Sequence, residues 1–190
     1  KLDIEVTKSE VDEPSPLVSS IVKQWLLPAV YERMTTGRGE FVAELRPAYP
    51  VFIRFGGMDF EAEDALIRLN DFVIEVQRTF NRFGGNILQL TLGDKGAYLY
   101  GVFGSPIAHE DDASRALAAA LEVQTLDTKT TACDIQVGVS FGALHSGTYG
   151  HAMRRTFVCL GDAVNLAARL MSKAPAGHIY VTNEVRGAAG

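Results

Sequence analysis

Residues 161–169 (GDAVNLAAR) carry the side chains best suited to chemistry in this sequence. Asn165 and Arg169 are four residues apart, so in a helix both side chains lie on one face, one turn apart. Asp162 is expected to be the N-cap. The opposite face is small and apolar: Val164, Ala167, Ala168 and Met171. An amide beside a guanidinium suits a negatively charged, oxygen-rich ligand such as a nucleotide phosphate, although a solvated polar face has the same pattern.

The composition indicates one globular domain with a full hydrophobic core. The chain has 190 residues, of which 47% are hydrophobic and 22% charged. A net charge of −5 argues against a broad nucleic-acid surface or binding to an anionic membrane. There is no apolar run of membrane-spanning length and no signal peptide, so we expect a cytoplasmic protein. Cys133 and Cys159 have no CxxC or zinc-type spacing and are expected to be buried free thiols.

The first 43 residues are expected to form a lead-in and a helical arm, followed by a single domain over residues 44–190. Ser15 and Pro16 are a good helix start, because proline is favoured at the first helical position. An apolar face of helical period follows: Leu17, Ile21, Val22, Trp25 and Leu26. Pro28 is expected to kink or end this helix.

The remaining pattern alternates between strands and helices. Strands are expected over residues 49–55, 87–92, 97–103, 135–143, 156–160 and 179–181. Helices are expected over 66–80 and 114–123, together with the one that begins near residue 162. The order is β-α-β-β-α-β, then β-α-β. Two helices packed on one face of a mostly antiparallel sheet make this an α+β, ferredoxin-like fold with extra C-terminal strands and a helix.

The segment GDAVNLAAR resembles the signature of the class III nucleotidyl cyclases, the adenylyl and guanylyl cyclase family. The resemblance covers roughly residues 45–185, and ELRP, DKG and VFG elsewhere in the chain also fit it. It is strongest to the second cyclase domain of the bicarbonate-responsive soluble adenylyl cyclases. The resemblance implies that Asn165 orients the ribose and that Arg169 meets the α-phosphate in the transition state.

Cyclisation joins the ribose 3′-oxygen to the α-phosphate and releases pyrophosphate, and carboxylates hold the two metal ions that this needs. The resemblance places one metal-binding carboxylate at Asp94, for which an ordinary turn aspartate is the alternative reading. Arg54 occupies the other position, and a guanidinium has only donors. Asp59 fits this position less well, because a shifted alignment breaks the strand pattern. We expect Arg54 and Asp94 to form a salt bridge that replaces the missing cation; the alternative is that Arg54 points to solvent.

The family often reads the purine base with a lysine before the GD turn and with an Asp or Thr before the signature helix. The corresponding residues here are Leu90 (or Gln89) and Val158. Neither leucine nor valine can hydrogen-bond a base edge. The sequence therefore predicts that both purine contacts are lost.

These departures predict the complementary half of a shared active site. Mg²⁺ or Mn²⁺ would be held mainly by another cyclase domain, in the same polypeptide or a second copy, and the substrate would be a nucleoside triphosphate. The chain alone, or its homodimer, is expected to be inactive or very weak. Two alternatives stay open: a degenerate cyclase-like module for regulation or dimerisation, and an unrelated ferredoxin-like binding module.

Three other polar groups are expected to have structural roles. Adjacent acids at a helix start favour capping over metal binding, and an arginine pair before a strand fits a solvated pair better than a triphosphate site. The SGTYG segment, residues 146–150, is expected to be a turn near a dimer interface. The residues concerned are His109, Glu110, Asp111 and Asp112 for the first group, Arg154 and Arg155 for the second, and His145 and His151 beside the turn.

Overall fold

The computed structural model describes residues 21–36, 43–93, 96–126, 134–151 and 154–190. Its helices are α1 (Pro28–Thr35), α2 (Ala65–Arg82), α3 (Asp112–Gln124), α4 (Asp162–Lys173) and α5 (Asn183–Ala189). Its strands are β1 (Glu44–Phe55), β2 (Asn86–Gly93), β3 (Gly96–Phe103), β4 (Gln136–Val139), β5 (Gly142–His151), β6 (Arg154–Leu160) and β7 (His178–Val181). Within these ranges, no helix is long and apolar enough to span a membrane.

Five strands form the main sheet, in the order β2-β3-β1-β4-β7. All neighbouring pairs are antiparallel except β4 and β7, which are parallel. Strand β5 pairs with the first half of β1 and with β6. The first half of β1 therefore pairs with β5, and its second half pairs with β4. The order β2-β3-β1-β4, with α2 and α3 as crossovers, is the predicted βαββαβ core, and the later strands and helices are its C-terminal additions. The predicted fold is therefore confirmed.

Side-chain alternation along β1 gives the sheet two apolar faces, as expected for a strand covered on both sides. Ile53 and its neighbours on the first face are buried in a core that α2, α3 and the first turn of α5 cover. Phe52 points to the second face, where α4 forms a smaller core. This second core consists of Ala48, Phe52, Tyr100, Val102, Leu144, Cys159, Ala163, Ala167 and Met171. The second core is what positions α4.

The strand expected over residues 135–143 is two strands, because β4 ends at Val139 and β5 begins at Gly142. The break lies opposite a proline in β1: the Ser140 amide donates to the Pro50 carbonyl at 3.2 Å, and Pro50 has no N–H to return. The SGTYG segment, expected to be a turn, lies within β5. Local sequence does not show where a strand changes its pairing partner.

The N-terminal arm also differs from its expected form. Pro28 was expected to kink or end the preceding helix, and the helical residues before it do end at Trp25. Pro28 then begins a second helix, α1, which was not expected; at this first position its missing N–H costs no hydrogen bond. A short 3₁₀ turn, Lys23–Trp25, precedes it. The expected start at Ser15 and Pro16 lies outside the described residues.

Candidate functional site

Helix α4 begins at Asp162, with Gly161 at the N-cap position and no side-chain capping hydrogen bond. The predicted role of Asp162 as N-cap is therefore wrong. Asp162 is instead an acidic residue in the first turn, where it complements the helix dipole. Gly161 takes the cap position because it lies close to β5: a Cβ there would be 3.0 Å from the Ala143 carbonyl oxygen.

The two faces of α4 are as the spacing predicts. Ala163, Ala167 and Met171 are buried in the second core, and Val164 and Ala168 pack partly against it. Asn165 and Arg169 are exposed on the other face. Within the part of the chain that the structure describes, neither side chain has a hydrogen bond or an ion pair, so both are available to a ligand or a partner.

Arg54 lies near the end of β1, half-buried, opposite Tyr98 of β3 and Gln136 of β4. Its guanidinium reaches the β2–β3 connection, because a Cβ built on Gly96 would be 3.1 Å from the Arg54 Nε atom. Asp94 is in that connection but outside the described residues, so the Arg54–Asp94 salt bridge stays a prediction.

The residues at this place do not fit a two-metal site. Arg54, which the family resemblance places at one of the carboxylate positions, can only donate hydrogen bonds. The exposed Asp59 accepts the amide of Glu61 at 3.0 Å within a local turn. In the described ranges there is no group of three His, Cys, Asp or Glu residues that could hold a metal ion.

A pocket of about 280 Å³ opens between β2 and β6, the strand that leads into α4. Val158 lines it, and so does Gln89, but Leu90 does not. A β-bulge between Ile87 and Gln89 sets this arrangement, because it pairs Gln89 with Tyr100 and Leu90 with Leu99. Residues paired across antiparallel strands share a face, so Gln89 lies on the pocket side and Leu90 on the opposite side of the sheet.

Gln89, the alternative to Leu90 at the first purine position, is the one of the two that lines the pocket. The Gln89 side chain donates from Nε2 to the Thr91 hydroxyl at 3.0 Å. Leu90, in contrast, is 40% exposed. The alternation of polar Gln89 and Thr91 with Leu90 was the available signal, since it separates two faces of β2.

The floor of the pocket is tied together by buried polar groups. The Tyr100 hydroxyl donates to the Cys159 carbonyl at 2.9 Å, and its ring stacks on Phe52 with centroids 4.8 Å apart. Burial raises the pKa of both the Tyr100 hydroxyl and the Cys159 thiol, so both stay neutral. The Cys159 sulfur also lies 3.5 Å from the hydroxyls of Ser105 and Ser146. Cys159 is thus the predicted buried free thiol, and Cys133 lies outside the described residues.

The acidic cluster before α3 organises a loop. The buried Asp112 carboxylate accepts the His109 amide at 2.7 Å and lies 3.1 Å from His109 Nδ1. A hydrogen bond from Arg115, at 2.6 Å, lowers the pKa of Asp111. These contacts agree with a structural role for the cluster.

Two further pairs of polar residues lie on β5 and β6. His145 and His151 are exposed on β5. Arg154 and Arg155 begin β6 and line a larger cavity of about 820 Å³ beneath the 22–34 segment.

The sheet order, the second-face helix and its outward amide–guanidinium pair together define an α+β domain of the nucleotidyl cyclase type. The sequence model of the family described as "Adenylate and Guanylate cyclase catalytic domain" matches residues 60–188. The chain belongs to this family.

Curated relatives agree with this assignment. Human adenylate cyclase type 10 (Homo sapiens) is 25% identical over 167 residues, which is 86% of this chain. The rabbit protein of the same name (Oryctolagus cuniculus) is 27% identical over 138 residues, or 71% of the chain. The chain spans only about a tenth of the length of these relatives, 10% and 9% respectively.

Solved cyclase structures share the fold. A bacterial light-regulated adenylyl cyclase superposes with a TM-score of 0.74 at 16% identity, covering 92% of this chain and 55% of its own. The adenylyl cyclase CyaB from P. aeruginosa gives a TM-score of 0.69 at 22% identity, covering 77% of this chain and 82% of its own.

Proposed function

We propose that this chain is the complementary half of a cyclase active site that converts a purine nucleoside triphosphate into a cyclic nucleotide and pyrophosphate, for intracellular signalling. The chain supplies Asn165 and Arg169, and another cyclase domain supplies the carboxylates that hold Mg²⁺ or Mn²⁺. The observation that carries the proposal is the outward Asn165–Arg169 face of α4, which has no partner among the described residues, in a chain whose β1 presents Arg54 instead of a carboxylate.

A second domain is needed because of where the functional groups point. Asn165 and Arg169 face away from the core that holds α4. A ligand bound to them would therefore stay exposed on the side that is turned away from α4. In a homodimer both sites would contain Arg54 in place of a metal-binding carboxylate. The arrangement therefore favours a partner domain that retains both carboxylates, with the dimer holding one complete site.

The chain's contribution to the reaction is electrostatic and geometric. As the ribose 3′-oxygen bonds to the α-phosphorus and the bond to pyrophosphate breaks, negative charge grows on the phosphate oxygens. The Arg169 guanidinium donates charge-assisted hydrogen bonds to these oxygens. Removing one such donor typically lowers kcat by about 10²–10³-fold. The Asn165 amide holds the ribose so that its hydroxyl is aligned for attack.

The pocket between β2 and β6 is suited to the purine base. It combines apolar walls, such as Val158, with the amide of Gln89. A glutamine amide has both an acceptor and donors, so it can pair with the edge of adenine or of guanine. The names of the curated relatives favour ATP. In this proposal one of the two base contacts is retained, in a changed form.

Cyclic AMP and cyclic GMP formation should be measured with Mg²⁺ and with Mn²⁺, for the chain alone and with a metal-bearing cyclase domain. We expect activity only for the pair, and we expect Arg169→Ala to lower kcat by about 10²–10³-fold. Arg186 is an exposed arginine in α5, on the face of the sheet opposite α4. Arg186→Ala is the matched control and should leave kcat unchanged. Strong activity of the chain alone, or activity that survives loss of Arg169, contradicts the proposal.

A module that only regulates or dimerises is the second candidate, and Arg54 together with Val158 favours it. If the chain only regulates or dimerises, it should change the partner's activity, and Arg169→Ala should have no effect. The same measurements therefore separate the two functions.

A further inference from the structure

We infer that Gly138, in β4, is a positioning residue for the Asn165–Arg169 pair: its missing side chain sets how closely α4 lies on the sheet, and thereby where the pair can reach. The expected effect on catalysis rests on the proposed function, whereas the expected effect on the position of α4 does not.

Gly138 lies in β4, an interior strand of the main sheet, directly beneath α4. It is paired with Phe52 of β1 on one side and with Tyr180 of β7 on the other. A Cβ at this position would overlap with the Ala167 carbonyl oxygen and the Met171 amide nitrogen, and it would be 3.0 Å from the Met171 Cα atom. Backbone atoms of a helix cannot turn aside as a flexible side chain can.

The requirement at Gly138 is steric. Gly138 is not among the glycines with positive φ, so alanine can adopt its backbone conformation. The cost of alanine is therefore the space that α4 occupies. Because carbon atoms in contact are about 3.5–4.0 Å apart, a methyl group here must push the helix outward by about 1 Å.

Two more contacts hold the N-terminal turn of the same helix. A Cβ on Gly142 would be 2.8 Å from the Ala163 Cβ, again too close. The buried hydroxyl of Ser140 donates to the Ala163 carbonyl at 2.6 Å. The helix is thus seated on β4 at its middle and on the β4–β5 connection at its start.

The position of α4 on the sheet determines where its functional side chains lie. Ala167 and Met171, which touch Gly138, bracket Arg169 in sequence and lie on the opposite face of α4. A rigid helix raised from the sheet carries Asn165 and Arg169 with it. A displacement of about 1 Å between a catalytic group and its substrate can cost about 100-fold in rate.

Gly138→Ala and Gly142→Ala are the test variants, with Gly187→Ala as the matched glycine control because a Cβ there meets nothing within 4 Å. Crystal structures of the chain give the position of α4, and thermal unfolding gives stability. We expect α4 to move outward in both test variants and to stay in place in Gly187→Ala. An unmoved helix in Gly142→Ala overturns the inference, even if Gly138→Ala fails to fold.

Kinetics of the chain with a metal-bearing cyclase domain then test the consequence. We expect Gly138→Ala to lower kcat by about 100-fold with little change in KM, and to cause no further loss in an Arg169→Ala background. Ala163→Gly should restore the activity of Gly142→Ala, because it removes the atom that clashes. Losses that multiply with Arg169→Ala, or a double variant without rescue, overturn the positioning role. If the unmodified pair forms no cyclic nucleotide, the proposed function fails, whereas the helix displacement still decides the structural inference.

Discussion

Gln89, rather than Leu90, should contact the purine base. The β-bulge before Gln89 brings its side chain to the pocket beside Val158 and turns Leu90 to the other face of the sheet. Each hydrogen bond from the amide to a base edge contributes about 0.5–1.5 kcal/mol. Loss of one or two such bonds in Gln89→Ala should therefore weaken base binding by about 2- to 150-fold.

Ligand-observed NMR with adenosine and with guanosine measures this binding without metal, partner or turnover. We expect both nucleosides to bind, because the amide can rotate to suit either base. Gln89→Ala should weaken both, and Leu90→Ala, one position along the same strand, should change neither. Equal effects of the two substitutions, or an effect of Leu90→Ala alone, would refute the assigned register.

Three further predictions follow from individual contacts. Arg54→Asp should create a Mn²⁺ site beside the β2–β3 connection that the unmodified chain lacks; calorimetric titration checks this, and equal binding by both proteins contradicts it. Ser140→Ala should lower the free energy of unfolding by about 1 kcal/mol, because the buried Ala163 carbonyl loses a hydrogen bond, and urea unfolding measures the change. Burial raises the pKa of Tyr100 and Cys159 in the folded state, so the stability they contribute is complete below pH 9.0 and falls at higher pH. Tyr100→Phe should make the loss of melting temperature at high pH smaller, and an unchanged pH dependence would contradict that reasoning.

The main helices and strands could be predicted because their signals are local. Residues four apart, such as Asn165 and Arg169, define a helix face without knowledge of the rest of the chain. The alternation through Ile53 defined the two faces of β1 in the same way. These patterns were sufficient for the ferredoxin-like order of elements and for the outward direction of the functional pair.

The features that could not be predicted depend on contacts between distant residues. The bulge beside Gln89 is set by pairing with β3, and the break at Ser140 occurs where one side of β1 changes partner from β4 to β5. The packing of Gly138 against α4 joins residues about thirty positions apart. The break at Ser140 and the packing of Gly138 leave no periodic signal in the sequence. The alternation around Leu90 separates two faces of β2, but it does not show which face meets the pocket.

Complementation tests the central claim, that this chain supplies one half of a shared site, most directly. The chain should be combined with two versions of a metal-bearing cyclase domain: one that keeps its metal carboxylates but lacks its own Asn–Arg pair, and one with the opposite defect. We predict cyclic nucleotide formation with the first version, lost again on Arg169→Ala, and none with the second. Activity with the second version, or none with the first, would contradict the account.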